Sequence, residues 1–205
     1  MSHSIRDDGV IKYIAIHQDN NPPNHAFLIQ LDEIRTKLFD LGLVGVYPDG
    51  IGYGNVSIRH QEGCIISGTA TGQIRALGAG RYCYVRSFDL TRNTVHTEGP
   101  VRASSESMTH CAIYLAAALV NCVLHIHHPM LWSRLLKEGR LSTPANIPYG
   151  TPQMAQSIAS LVNGITSKSG LLVMAGHEDG IIAYGETIDL AYDQIKIAFD
   201  QYALQ

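Results

Sequence analysis

Residues 104–128 read Ser-Ser-Glu-Ser-Met-Thr-His-Cys-Ala-Ile-Tyr-Leu-Ala-Ala-Ala-Leu-Val-Asn-Cys-Val-Leu-His-Ile-His-His, and Pro129 ends the run. The serine start opens a helix-like segment, expected over Ala103–Leu119, which passes into an apolar strand expected over Val120–His128. On a strand, side chains two apart share a face, so His125 and His127 point together while His128 points away. Two imidazoles then converge on one point, a geometry that suits a divalent transition metal. Taken alone, His-x-His is also compatible with a surface accident or a satisfied core feature. Two neighbours favour the metal. Glu106 falls in the first turn of the preceding helix, and His177 lies in a glycine-flanked turn after a second apolar strand, Leu171–Ala175. Three histidines and a carboxylate from separate elements make an open catalytic site, with fixed ligands and room for water or substrate.

Working outward, a chain of 205 residues fits one domain, 1–205, and is long enough to bury a core without staples. A net charge of -3 with 16% charged residues offers neither a basic stripe for nucleic acid nor an acidic tail. The expected partners are therefore small molecules and further copies of the chain. Cys64, Cys83, Cys111 and Cys122 show no Cys-x-x-Cys spacing and read as small buried hydrophobes of a reducing compartment. The start, Met1–Gly9, has no apolar signal region, and the longest apolar run, Tyr114–Val120, is too short to span a bilayer. The expectation is a soluble cytoplasmic protein without a membrane partner.

Upstream, Val10–His17 is rich in β-branched residues and predicts a first strand. Ala26–Leu41 carries Leu28, Leu31, Ile34, Leu38 and Leu41 at helical spacing and ends at Gly42. The segment Pro48-Asp49-Gly50-Ile51-Gly52-Tyr53-Gly54-Asn55 resembles a dinucleotide fingerprint only in its glycines, because a strand-like alternation follows instead of a helix. It reads as a tight entry into a strand, leaving Asn55 and Ser57 open to a ligand. Gly63–Ser67 predicts the hairpin partner, and Gly68-Thr69-Ala70-Thr71-Gly72 a small-residue loop whose amides could approach an anion or could be merely flexible. Arg81–Arg86 and Thr94–His96 predict further strands.

Ser104 and Ser105 suit a helix N-terminus, which is also a natural phosphate site because its free amides and positive dipole end face outward. Glu106 there complements the dipole whether or not it has a further role. His110, four residues later on the same helical face, could be a further site residue or a buried partner to a backbone group, and the reading favoured is structural support. Downstream, Met130–Leu136 and Thr151–Val162 predict helices, the second capped by Thr151 with Pro152 at its first position. Gly170–Tyr184 predicts a hairpin turning at His177, and Ile188–Leu204 an amphipathic C-terminal helix.

The ordered set Gly54-Asn55-Val56-Ser57-Ile58-Arg59, the loop at 67–72, Ser104-Ser105-Glu106, His125-x-His127 and Gly176-His177 resembles the class II aldolase/adducin-head family, from about Ala26 to Tyr202. The resemblance implies one α/β/α domain with a mainly antiparallel central sheet, usually assembled as a tetramer with sites near subunit interfaces. It implies His125, His127 and His177 as ligands of a divalent metal, commonly zinc, and Glu106 as the carboxylate that works beside it. It implies a phosphate cradle built from Asn55, Ser67-Gly68 or Thr71-Gly72, Ser104 and Ser105. The chain departs from the family where His177 is followed by Glu178-Asp179 before Gly180, and in lacking a clear C-terminal catalytic tyrosine, for which Tyr202 is the candidate.

The activity implied is aldolase-type cleavage of a small, phosphorylated ketose through a metal-stabilised enediolate. The alternatives are epimerisation or dehydration at the same site, which Glu106 disfavours because the epimerases resemble Ser-Ser-Asp there, and a non-catalytic binding module like the adducin head.

Overall fold

The computed structural model describes residues 10–202. Along the chain come β1 (Ile14–Asp19), α1 (Leu28–Asp40), β2 (Gly45–Val46), β3 (Gly52–Tyr53), β4 (Asn55–His60), β5 (Gly63–Ser67), β6 (Tyr82–Asp89) and β7 (Thr94–Gly99). Then follow α2 (Ser107–Ala116), β8 (Cys122–His127), α3 (Pro129–Lys137), α4 (Pro152–Val162), β9 (Ser169–Val173), β10 (Gly180–Gly185) and α5 (Ile188–Tyr202).

Eight strands form one sheet in the order β1-β7-β6-β5-β4-β8-β10-β9, while β2 and β3 pair separately. Every pairing in the large sheet is antiparallel except β1 with β7, which run parallel from Ile14 opposite Thr94 to Asp19 opposite Gly99. That pairing moves the first strand from the expected Val10–His17 to Ile14–Asp19. The Asn93 side chain donates to the Lys12 carbonyl, and the Ile14 amide donates to the Asn93 carbonyl, so the register starts at residue 14.

Helices cover both faces of the sheet. One core layer joins Val123, Ile182 and Ile66 of the sheet to Met108 and Ile113 of α2 and to Met154 and Ile158 of α4. The other joins Leu124, Ile126, Val56 and Ile65 to Leu31 and Leu38 of α1, Leu131 of α3 and Ile195 of α5. Leu31 and Leu38 are fully enclosed, and such a side chain contributes about 1.5–3 kcal/mol relative to leaving it in water. The α1 period is thus the expected one, and Gly42, at φ +70, closes it by donating to the Phe39 carbonyl.

The helix expected over Ala103–Leu119 is shorter at both ends. Ser104 starts a turn in which the Ser107 amide and hydroxyl both donate to its carbonyl, so Glu106 becomes the N-cap and the helix begins at Ser107. At the other end Ala117 is extended, and the Arg59 guanidinium on β4 donates to the carbonyls of Tyr114, Ala117 and Val120. A cation satisfying the last carbonyls suits the negative end of the helix dipole. Thr151 caps α4 as expected, its hydroxyl accepting from the Met154 amide with Pro152 next in line.

Among the described residues, no helix is long and apolar enough to cross a membrane. All four cysteines are buried and free. The Cys64 and Cys111 sulfurs lie 3.3 Å apart between β5 and α2, and burial pushes the Cys83 thiol up to about 12.

Candidate metal centre

Strand β8 is buried on both faces, and its alternation decides where the imidazoles go. Cys122, Leu124 and Ile126 pack into the α1/α3/α5 layer, and Val123 into the α2/α4 layer. His125 and His127 continue the Val123 side. The third imidazole arrives from the β9–β10 connection, where the His177 amide bonds the Met174 carbonyl and its own carbonyl accepts from Gly180. The three ring centroids stand 4.8 Å (His125–His127), 5.1 Å (His125–His177) and 4.6 Å (His127–His177) apart. One ligand atom from each lies within 4.8 Å of the others, and all three residues are buried. His128 turns away, as expected, to cap α3 at the Leu131 amide and pack against Phe199.

The donor set fits a divalent ion. Burial, followed by the neighbouring imidazoles His127 and His177, pushes the His125 imidazole well below its usual pKa, so it is neutral and carries a lone pair. Its Nε2 is enclosed and meets no hydrogen-bond partner among the described residues, an orphan that costs about 1–3 kcal/mol unless something is bound there. Three imidazoles are the ligand set of zinc and related transition metals.

These histidines share a cavity of about 280 Å³ with Glu106, Ser104, Ser105, Asn55 and the loop Gly68–Gly72. Gly50–Gly54 and Tyr149 complete the wall. The structure therefore brings together Glu106, His125, His127, His177, Asn55, Gly68, Thr71, Gly72, Ser104 and Ser105. It leaves out Ser67, whose buried hydroxyl is turned back to accept from the Val56 amide within the sheet. It also closes Ser57 to any ligand, because that hydroxyl is fully buried between His110 Nδ1 and the Tyr114 hydroxyl, each at 2.7 Å. Tyr202 is no part of the cavity. Its hydroxyl donates to Glu138 at 2.7 Å in the layer formed by α3 and α5.

The Gly68–Gly72 loop is held from below by a residue the sequence did not single out. Arg35, nearly fully buried on α1, donates to the carbonyls of Thr71, Ile74 and Arg75. Gly72 is required there, since a Cβ would stand 2.2 Å from the Gly45 carbonyl oxygen. Aromatic rings brace the imidazoles. Tyr149 stacks on His177 with centroids 4.5 Å apart and planes 23° off parallel, with the Lys12 ammonium 3.7 Å from the Tyr149 centroid. Tyr47 and Tyr53 flank His127. A lone tyrosine in a glycine-rich turn has no periodicity to betray it, which is why Tyr47 and Tyr149 escape a reading by pattern.

The family model for the Class II Aldolase and Adducin N-terminal domain matches residues 47–200, from the first turn after β2 to the last helix. The chain belongs to this family. Class II aldolase/adducin structures repeat the fold at low identity. YgbL from Klebsiella pneumoniae, whose description leaves aldolase, epimerase and decarboxylase open, superposes with a TM-score of 0.61 at 19% identity over 82% of this chain and 83% of its own. The L-fuculose-1-phosphate aldolase of Thermus thermophilus gives 0.54 at 19% over 83% and 84%. A sugar-phosphate aldolase from Thermotoga maritima gives 0.61 at 16% over 82% and 88%. At these identities the likeness is one of fold. No curated protein sequence matches. Among the described residues, His125, His127 and His177 form a group that could hold a metal ion.

Proposed function

We propose that this protein is a divalent-metal-dependent lyase of aldolase type that cleaves a small, phosphorylated ketose. The observation that carries the reading is the convergence of His125, His127 and His177 in one cavity with the buried carboxylate of Glu106. The three imidazoles would hold the ion, which when bound supplies a Lewis acid for a substrate carbonyl and for the enediolate oxygen that develops on cleavage. Zinc, a homotetramer and a cytoplasmic setting belong to the same proposal.

Glu106 is the group that moves the proton. It caps α2, so its backbone stands where the dipole is positive, and its side chain lines the cavity. Ser104, Ser105 and Asn55 bring neutral polar groups to the cavity lining. Thr71 and Gly72 line the same cavity, with the Thr71 hydroxyl committed to the Gly68 carbonyl. An anion such as a phosphate suits this neutral cradle at a helix start better than it suits an apolar pocket.

The test is a panel of phosphorylated and free ketoses offered to zinc-loaded protein, with carbonyl products identified. Release of a triose-phosphate fragment supports cleavage. Isomerised or dehydrated sugar without fragments replaces it with epimerase or dehydratase chemistry, and protein that retains no divalent ion points to a binding module.

A further inference from the structure

The hydroxyl of Tyr47 lies 2.8 Å from His127 Nδ1 and also donates to Asp179 Oδ2 at 3.1 Å. A phenol has one proton to give and a carboxylate only accepts. With that proton directed at Asp179, Tyr47 meets His127 with a lone pair. His127 Nδ1 must then carry the hydrogen, which leaves Nε2 with the lone pair a metal needs.

The placement of the two residues is unusual enough to need a reason. Asp179 is 2% exposed and sits at φ +69, a left-handed conformation that few residues other than glycine adopt. Its carbonyl accepts from the His128 amide, so the turn that carries His177 is tied to the end of β8 by its backbone and, through Tyr47, by its side chain. Tyr47 is fixed in turn by the 47–51 bend, where its amide and carbonyl bond Ile51 and Gly50. The adjacent acid, Glu178, is exposed and takes no part.

We propose that Tyr47 and Asp179 are positioning residues of the metal centre, a Tyr–Asp relay that locks His127 in its Nδ1–H tautomer and tethers the His177 turn to the strand bearing the other two ligands. The proposal rests on the three histidines being a metal site, and it assigns to the Glu178-Asp179 pair, where the family pattern breaks, one structural acid and one solvated one. Partners of this kind raise the basicity of a ligating imidazole and fix its ring, and removing one typically costs about 10–100-fold in metal affinity.

The experiment uses the full chain as wild type, Tyr47→Phe, Asp179→Asn and the double variant. Phenylalanine keeps the ring packing beside Tyr53, and asparagine tolerates the left-handed backbone. Long-range proton–nitrogen NMR of metal-free protein reads the His127 tautomer, and competition with a chromophoric chelator reads zinc affinity. The expected result is Nδ1–H in wild type, a mixed tautomer in Tyr47→Phe, and zinc affinity about 10–100-fold weaker in each single variant. The double variant should be no weaker than Tyr47→Phe, because Asp179 acts through the phenol. A wild-type Nε2–H tautomer, or Tyr47→Phe binding zinc within about twofold of wild type, overturns the proposal and leaves the metal centre standing. Wild type without measurable zinc affinity overturns the metal-centre reading itself, and the relay with it. Should Tyr47→Phe fail to fold, Asp179→Asn carries the same comparison.

Discussion

Asn55 stands directly opposite His125 in the β4–β8 register, and its side-chain nitrogen lies 3.4 Å from His125 Nδ1. The Asn55 side-chain oxygen, Oδ1, is buried without a partner among the described residues. A half-turn of the amide would present that oxygen to an Nδ1–H and free His125 Nε2 to face the other imidazoles. Asn55 thus stands to His125 as Tyr47 does to His127, on the far nitrogen of the ring.

Asn55→Ala should therefore weaken zinc binding by about tenfold, read by chelator competition, because the outer partner of a ligand is lost. If Asn55 served the phosphate alone, zinc affinity would not move and KM would rise only for phosphorylated substrates.

Glu106→Gln should keep the metal and lose turnover by about 10²–10⁴-fold, since the amide fits the cavity but cannot take a proton. His127→Ala should lose the metal while the sheet persists, because Leu124 and Ile126 carry the opposite face of β8. Metal content and thermal unfolding of both variants check the contrast. Normal turnover in Glu106→Gln would reduce that residue to a helix cap.

His110 is fully buried, and burial alone lowers its pKa from 6.5 to about 3. The unfolded chain takes up the proton first, so the stability this residue lends is complete above pH 6.5 and is lost as the pH falls toward 3. The slope is about 1.4 kcal/mol per pH unit inside that window. Unfolding of the wild type measured from about pH 7 to about pH 4 should show it, and His110→Asn should flatten the curve by roughly one proton's worth. Equal slopes in the two proteins would mean that His110 titrates normally.

Gly72→Ala should push the 68–72 loop away from Gly45, because the added methyl meets backbone on two sides and not a yielding side chain. The expected cost is about 1–3 kcal/mol of stability with a raised KM for phosphorylated substrate, measured by denaturant unfolding and initial rates. An unchanged KM would remove the loop from the anion cradle.

Much of this arrangement is legible in the sequence because strand alternation is arithmetic. His125 and His127 had to share a face, and Ile126 between them had to occupy the other. The α1 and α4 helices follow equally from their leucine spacing and the Thr151-Pro152 cap. What pattern could not supply was direction within buried polar clusters. Ser57 and Ser67 look like site residues in a glycine-rich neighbourhood, yet each hydroxyl is turned inward to satisfy a buried group, His110 and the Val56 amide. Tyr47 and Asp179 are 132 positions apart and meet only once β8 and β10 are paired. The first strand slipped because its limits depend on Asn93 and β7, far along the chain.

The pairing of β8 with β4 on one side and β10 on the other has a consequence for how such a protein can change over time. Inserting or deleting one residue in β8 would exchange imidazoles for isoleucine and leucine at every level, so the rungs that carry His125 and His127 are frozen in length. The segments 50–54 and 68–72 supply none of the three imidazoles, so away from tightly packed positions such as Gly54 and Gly72 they tolerate more change than β8. Descendants of this chain can reshape the cavity wall through those segments while inheriting the same three imidazoles.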